Sequence, residues 1–197
     1  YFLKYMNDAL LKYVNDKKVW HINGFNFPIN IKNDSCYFSR VMFCWGWATW
    51  KNRWMKHIDD PLSHDPFYLK NLFSRKMLRE LDLDTNVKFF SSQITMNYKS
   101  KNTWAIFWYS FIFLNKGLCL TPYFSLTKNI GHDGSGINCR ENKKVQNALI
   151  NSKPINNFPD YQSENHITLK KMGKYLKTNY NIRARIFRYL WHIIKKK

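Results

Sequence analysis

Glycine is scarce in this chain, with seven residues in 197, and acidic side chains are scarce as well, 13 against 32 lysines and arginines. No two of the four cysteines stand in a C-x-x-C pair, which argues against a zinc site. With nothing pointing to secretion, Cys36, Cys44, Cys119 and Cys139 read as free thiols, small and easily buried. Long apolar runs are missing. The longest, WAIFWYSFIFL from Trp104 to Leu114, is about half the ~20 residues a membrane-spanning helix needs, so it reads as a buried helix. The acid deficit leaves a formal charge of +19. Such an excess calls for an anionic partner: nucleic acid, a membrane face or a phosphorylated substrate. No RNP-like aromatics, zinc finger or helix-turn-helix pattern accompanies the charge, so nucleic acid is not expected.

What is present is a core. Hydrophobic residues make up 45% and aromatics 18%, enough for one substantial domain, with or without a tail. Phe2, Leu3, Met6, Ala9, Leu10, Tyr13 and Val14 recur at helical spacing. The chain thus opens as if in the middle of a helix, and the expectation is a soluble chain preceded by a further N-terminal part. Val19–Ile22 and Cys36–Phe43 read as strands, 66–81 as one helix, 103–115 as the buried helix, and Leu118–Phe124 as a strand ended or edged by Pro122. Strands separated by helices predict an α/β domain. Asn, Lys and Ser dominate after Cys139, so 141–165 reads as a polar linker or surface excursion. Residues 166–197 read as a basic helical tail. Its part 182–197 carries Arg183, Arg185, Arg188 and three closing lysines, suited to an anionic membrane surface.

Four stretches carry candidate chemistry. NIGHDGSG, residues 129–136, gathers Gly131, Gly134 and Gly136 around His132, Asp133 and Ser135. Glycine permits positive φ and close backbone approach, and successive free N–H groups in such a loop can cradle an anion. The plain alternative is a tight Asp-Gly turn. In CWGWATWKNRW, Trp47, Trp50 and Trp54 fall at i, i+3 and i+7, as on one helical face. Trp45-Gly46-Trp47 would leave an indole free to stack on a sugar ring. Asp82 and Asp84 have D-x-D spacing, which can hold a divalent cation but reads here as solvated charge.

Taken in order, YFLKYMNDAL, W-x-I-N-G (Trp20 to Gly24), WGWATWKNRW, TWAIFW and SLTKNIGHDGSGINC resemble the C-terminal half of bacterial family-2-type glycosyltransferases of GT-A fold. Those enzymes serve surface polysaccharides, lipopolysaccharide among them, and are similar in layout to the N-acetylglucosaminyltransferase I group. The resemblance covers roughly residues 1–140. It implies the C-terminal part of a GT-A domain, its acceptor side and donor flap. Such an enzyme transfers sugar from a nucleotide-sugar to a glycan or lipid-linked acceptor, from the cytoplasm or the inner membrane face. Lys128, Gly131, His132, Asp133, Gly134, Ser135 and Gly136 would face the donor, Trp45, Gly46 and Trp47 the acceptor, and Asp133 would be the first candidate for the general base. A divalent cation, Mn or Mg, is expected for the full-length enzyme. Its acidic motif is not encoded here, so this chain alone should not turn over. Departures are Phe107 in place of an Arg, and FFSSQITMNY (Phe89–Tyr98) in place of an acidic residue and a Gly. A non-catalytic basic module binding an anionic membrane or nucleic acid, and an inactive gene remnant, stay open beside the enzyme.

Overall fold

The computed structural model describes residues 1–29, 31, 35–60, 64–99, 103–136 and 141–180. Their architecture is mixed α/β, as the alternation of patterns predicts: eight α-helices and one four-stranded mixed sheet among the described residues. In chain order the elements are α1 (Phe2–Lys12), β1 (Val19–Asn23), β2 (Cys36–Ser39), β3 (Trp47–Ala48), α2 (Lys51–Ile58), α3 (Pro66–Leu72) and α4 (Arg75–Leu81). There follow α5 (Ser91–Lys99), α6 (Ala105–Leu114), β4 (Leu118–Pro122), α7 (Lys143–Gln146) and α8 (His166–Tyr180). The sheet order is β2-β4-β1-β3, with β1 parallel to β4 and both outer pairings antiparallel.

The two central strands are buried throughout, which is why they read as apolar runs rather than alternating ones. One face is covered by α1 through Tyr5, Met6, Ala9 and Tyr13, which pack with Val19, Ile22, Phe38 and Leu120. The other is covered by α6, whose six buried side chains include Trp108, Tyr109 and Ile112. Apolar on all sides, α6 is short for a membrane span and right for the middle of a core. Among the described residues no helix is long and apolar enough to cross a membrane.

Two element readings are corrected, and one of the two alternatives for Pro122 is decided. The strand expected over Cys36–Phe43 stops at Ser39. Beyond it the backbone is held by side chains of β1 rather than by a ladder. Buried Asn23 donates to the Val41 carbonyl (2.9 Å) and to Thr121 Oγ1 (2.8 Å), and accepts from the Phe43 amide (2.7 Å). The single helix expected over 66–81 is two, because Ser74 caps a new start by accepting from the Met77 amide. Pro122 ends β4 as expected, but β4 lies between β2 and β1, not at an edge. Asp82 is also not a solvated charge. It is buried, accepts from the Phe90 and Ser91 amides and the Ser91 hydroxyl, and so caps α5.

Residues 151–165 keep a polar surface, and 155–160 lie along the α1 side. Ile155 is buried there and Phe158 stacks on Tyr5 at 5.8 Å. The Tyr13 hydroxyl donates to the Pro159 carbonyl (2.6 Å), and Lys12 pairs with Asp160. Arg40 grips Glu164 with two nitrogens, at 2.7 and 2.6 Å. Cys36, Cys44 and Cys119 are free thiols, whereas Cys139 and residues 182–197 lie outside the described residues.

Replacing Asn23 by Leu strands a buried amide and a buried carbonyl together. Each such orphan costs about 1–3 kcal/mol, so the Asn23→Leu variant should unfold in urea with a stability loss of about 3 kcal/mol. A loss below 1 kcal/mol would mean that water replaces the side chain.

Candidate functional site

The Trp45-Gly46-Trp47 turn is built by steric exclusion. Gly46 has φ +69°, and a Cβ there would meet Thr127 Cγ2 at 2.5 Å. Gly24 approaches as closely from β1: its amide donates to the Gly46 carbonyl at 2.7 Å, and a Cβ on it would meet that same oxygen at 2.7 Å. Two glycines thus let three backbones meet.

The indoles do not share one helical face, contrary to expectation. Trp47 sits in β3, paired with Asn23. Trp50 precedes α2 and donates to the Leu10 carbonyl of α1 at 3.0 Å. Trp54 lies within α2. Trp45 and Trp47 point into different surroundings. Trp45 meets Phe25 at 4.5 Å and His132 at 5.3 Å, both edge to face. Trp47 stacks on His21 at 5.2 Å and touches Trp54 and Trp104 at 5.5 and 5.3 Å.

The NIGHDGSG loop closes against the Trp45 side. Thr127 donates its hydroxyl to the Trp45 carbonyl at 2.7 Å, and the Leu126 amide donates to the Gly24 carbonyl. Ile130–Asp133 form a single 3-10 turn, capped by Asn129, whose side chain accepts from the Gly131 amide. Gly134 closes the turn at φ +106°. Gly131 and His132 are buried, Gly136 is half-buried, and Lys128, Asp133, Gly134 and Ser135 are exposed. The expected cradle of free amides is in large part consumed. Ser135 donates its amide and hydroxyl to Asp133 Oδ1, and the Gly136 amide donates to the Gly131 carbonyl. The Ser135 contacts hold the Asp133 carboxyl below the usual carboxylate range. It is ionised at neutral pH and a weaker base than an ordinary aspartate, whereas general-base catalysis works best near the operating pH.

Two features went unread in the sequence. The first is His21, fully buried in β1. The Trp108 indole can only donate, so His21 Nδ1 accepts from it at 3.1 Å; Nε2 then carries the proton and donates to the Phe43 carbonyl, also at 3.1 Å. Burial pushes its pKa down to about 3. A histidine inside the apolar run VWHI was the available signal. The second is an open pocket of about 210 Å³ lined by Trp47, Trp54, His57, Ile58, His64 and Trp104. Burial, then the neighbouring His64, lowers His57 to about 4. Sequence reasoning missed it because residues from β3, α2, the turn before α3 and the start of α6 meet only in the fold. Among the described residues no three His, Cys, Asp or Glu side chains assemble as a metal site.

The site so defined belongs to a mixed α/β protein with an indole-walled pocket on one side of Trp47 and a glycine loop on the Trp45 side. No family model, no curated protein and no solved structure matches the chain.

The histidines make stability pH-dependent. Unfolded, both titrate near 6.5; folded, they titrate at about 3 and about 4. Between those values the unfolded chain binds more protons, so stability falls as pH drops from 6.5 toward 4. His21 alone accounts for roughly 3 kcal/mol over that window. Urea midpoints at pH 7, 5 and 4 should fall in that order, and His21→Gln should flatten the decline. Separately, Gly46→Ala should cost about 2 kcal/mol from backbone strain and the Thr127 clash, read in the same urea titration.

Proposed function

We propose that the chain is a glycosyltransferase segment of GT-A type. It supplies the acceptor side and a donor-facing loop for transfer of sugar from a nucleotide-sugar to a glycan or lipid-linked acceptor in surface-polysaccharide synthesis. One observation carries this reading: the two most specific stretches of the resemblance, some eighty residues apart, meet. Trp45 receives the Thr127 hydroxyl through its carbonyl and the edge of His132 on its ring. A mixed sheet with β1 parallel to β4 supports it at the level of class.

In this reading the exposed Lys128 is the phosphate contact, because the loop amides of Gly131, Ser135 and Gly136 are already engaged. Asp133 orders the loop through Ser135 and orients an acceptor hydroxyl rather than removing its proton. Trp45, Gly46 and Trp47 border the acceptor. A divalent cation, Mn or Mg, would supply charge neutralisation at the donor diphosphate in the full-length enzyme; among the described residues no group of three His, Cys, Asp or Glu side chains would hold it. The rival is a non-catalytic basic module for an anionic membrane, favoured by the charge of +19.

The test is a panel of nucleotide-sugars with Mn²⁺, read by calorimetry for binding and by release of nucleoside diphosphate, which this chain alone should not produce. One nucleotide-sugar should bind, and Lys128→Ala should weaken it at least tenfold without changing the melting temperature. No binding across the panel, together with vesicle binding that falls steeply with salt, would favour the basic module.

A further inference from the structure

We propose that the pocket walled by Trp47, Trp54 and Trp104 binds the hydrocarbon part of an anionic amphiphile, a single-chain alkyl or isoprenyl phosphate, with the phosphate at the Lys51 end. The proposal stands on the pocket and does not depend on the transferase reading; where both hold, the pocket takes the carrier of a lipid-linked acceptor.

The chemistry of the walls selects the ligand. Of the six lining side chains, three are indoles and one is Ile58. The polar lining is two imidazoles, and His64 Nε2 is already engaged with the His57 carbonyl at 3.1 Å. A sugar ring brings hydroxyls that need convergent polar partners when buried, and these walls offer few. A cation cage is excluded by geometry. Trp47, Trp54 and Trp104 lie 5.3–6.1 Å apart, centroid to centroid. They pack on one another as a continuous wall and leave no cation-wide gap between facing rings. The charge of +19 repels a cation besides. At about 210 Å³, the space is below the ~300 Å³ of a small drug site and takes a segment of a chain.

The surface continues the pocket outward. Trp104 is 47% exposed, Ile58 44% and Met55 38%. Lys51, Trp54, Met55 and Ile58 fall at helical spacing along one stripe of α2. An exposed cation therefore stands one turn beyond the apolar wall. Trp50 gives the N-terminus of α2 no side-chain cap, and its first turn holds no acid, so that end favours an anion. Asp59 and Asp60 close the other end. The polarity of the stripe thus orients the ligand, with its head toward Lys51 and its tail across Ile58 and Trp104.

The experiment titrates the full chain with n-alkyl monophosphates of four to ten carbons, below their micelle concentrations, by calorimetry. The matching alcohols and a set of monosaccharides run in parallel. Saturable binding should strengthen by up to about fourfold per methylene and then level off when the pocket is full. Trp104→Ala should weaken octyl phosphate at least tenfold, and Ile58→Gln several-fold. Both positions are exposed, and urea midpoints kept close to that of the unsubstituted chain separate lost binding from lost folding. Lys51→Glu should erase the preference for phosphate over alcohol. Three results would overturn the proposal: affinity independent of chain length, monosaccharide binding lost in Trp104→Ala, or attachment to anionic vesicles with no saturable binding of the soluble amphiphile.

Discussion

The structure hinges on the backbone that follows β2, where no strand takes up the polar groups. Side chains of β1 do so instead. Asn23 spans Val41, Phe43 and Thr121, and His21 holds the Phe43 carbonyl while accepting from Trp108. This is a buried polar network whose members are mutually satisfied, the condition under which such a network specifies one arrangement. It fixes where the chain re-enters the sheet as β3. That re-entry sets Trp45 against Phe25 and His132, and Trp47 against His21, Trp54 and Trp104.

Both candidate sites are arranged about that parting. On the Trp45 side, two glycines bring β1, the turn and the segment after β4 into backbone contact, and the NIGHDGSG loop is seated there. On the Trp47 side, indoles from β3, α2 and the start of α6 build a pocket wall backed by buried histidines. Arg53 ties α2 into place. Its guanidinium lies 3.8 Å over the Trp50 ring and donates to the carbonyls of Tyr13, Val14 and Asp16 after α1. A charge that looks like surface in the sequence is thereby spent on aligning two helices.

Where burial follows a short period, the sequence was a good guide. α1, β1, α6 and β4 all lie close to where apolar spacing put them. It misled where side chains replace ladders or caps. CYFSRVMF is a strand by composition, yet its second half is held by Asn23. WATWKNRW is helical by indole spacing, yet Trp47 belongs to a two-residue strand. Asp82 has the spacing of a metal ligand and is a helix cap. The glycine cluster, read first as an anion cradle and otherwise as a plain Asp-Gly turn, forms a 3-10 turn closed by Gly134 with Asp133 and Ser135 exposed. The amides of Gly131, Ser135 and Gly136 bond within the loop, which composition cannot reveal. The pocket was invisible for a simpler reason: its walls come from four separated elements.

The strap formed by residues 151–165 bears on how the chain folds as it is made. Tyr13 waits for Pro159, a partner 146 positions later, and Arg40 for Glu164, 124 later. At translation speeds of about 5–20 residues per second, the early helix and strands emerge on the order of ten seconds ahead of the segment that covers them. Through that interval Tyr5 is without the Phe158 ring that stacks on it and Tyr13 without the Pro159 carbonyl.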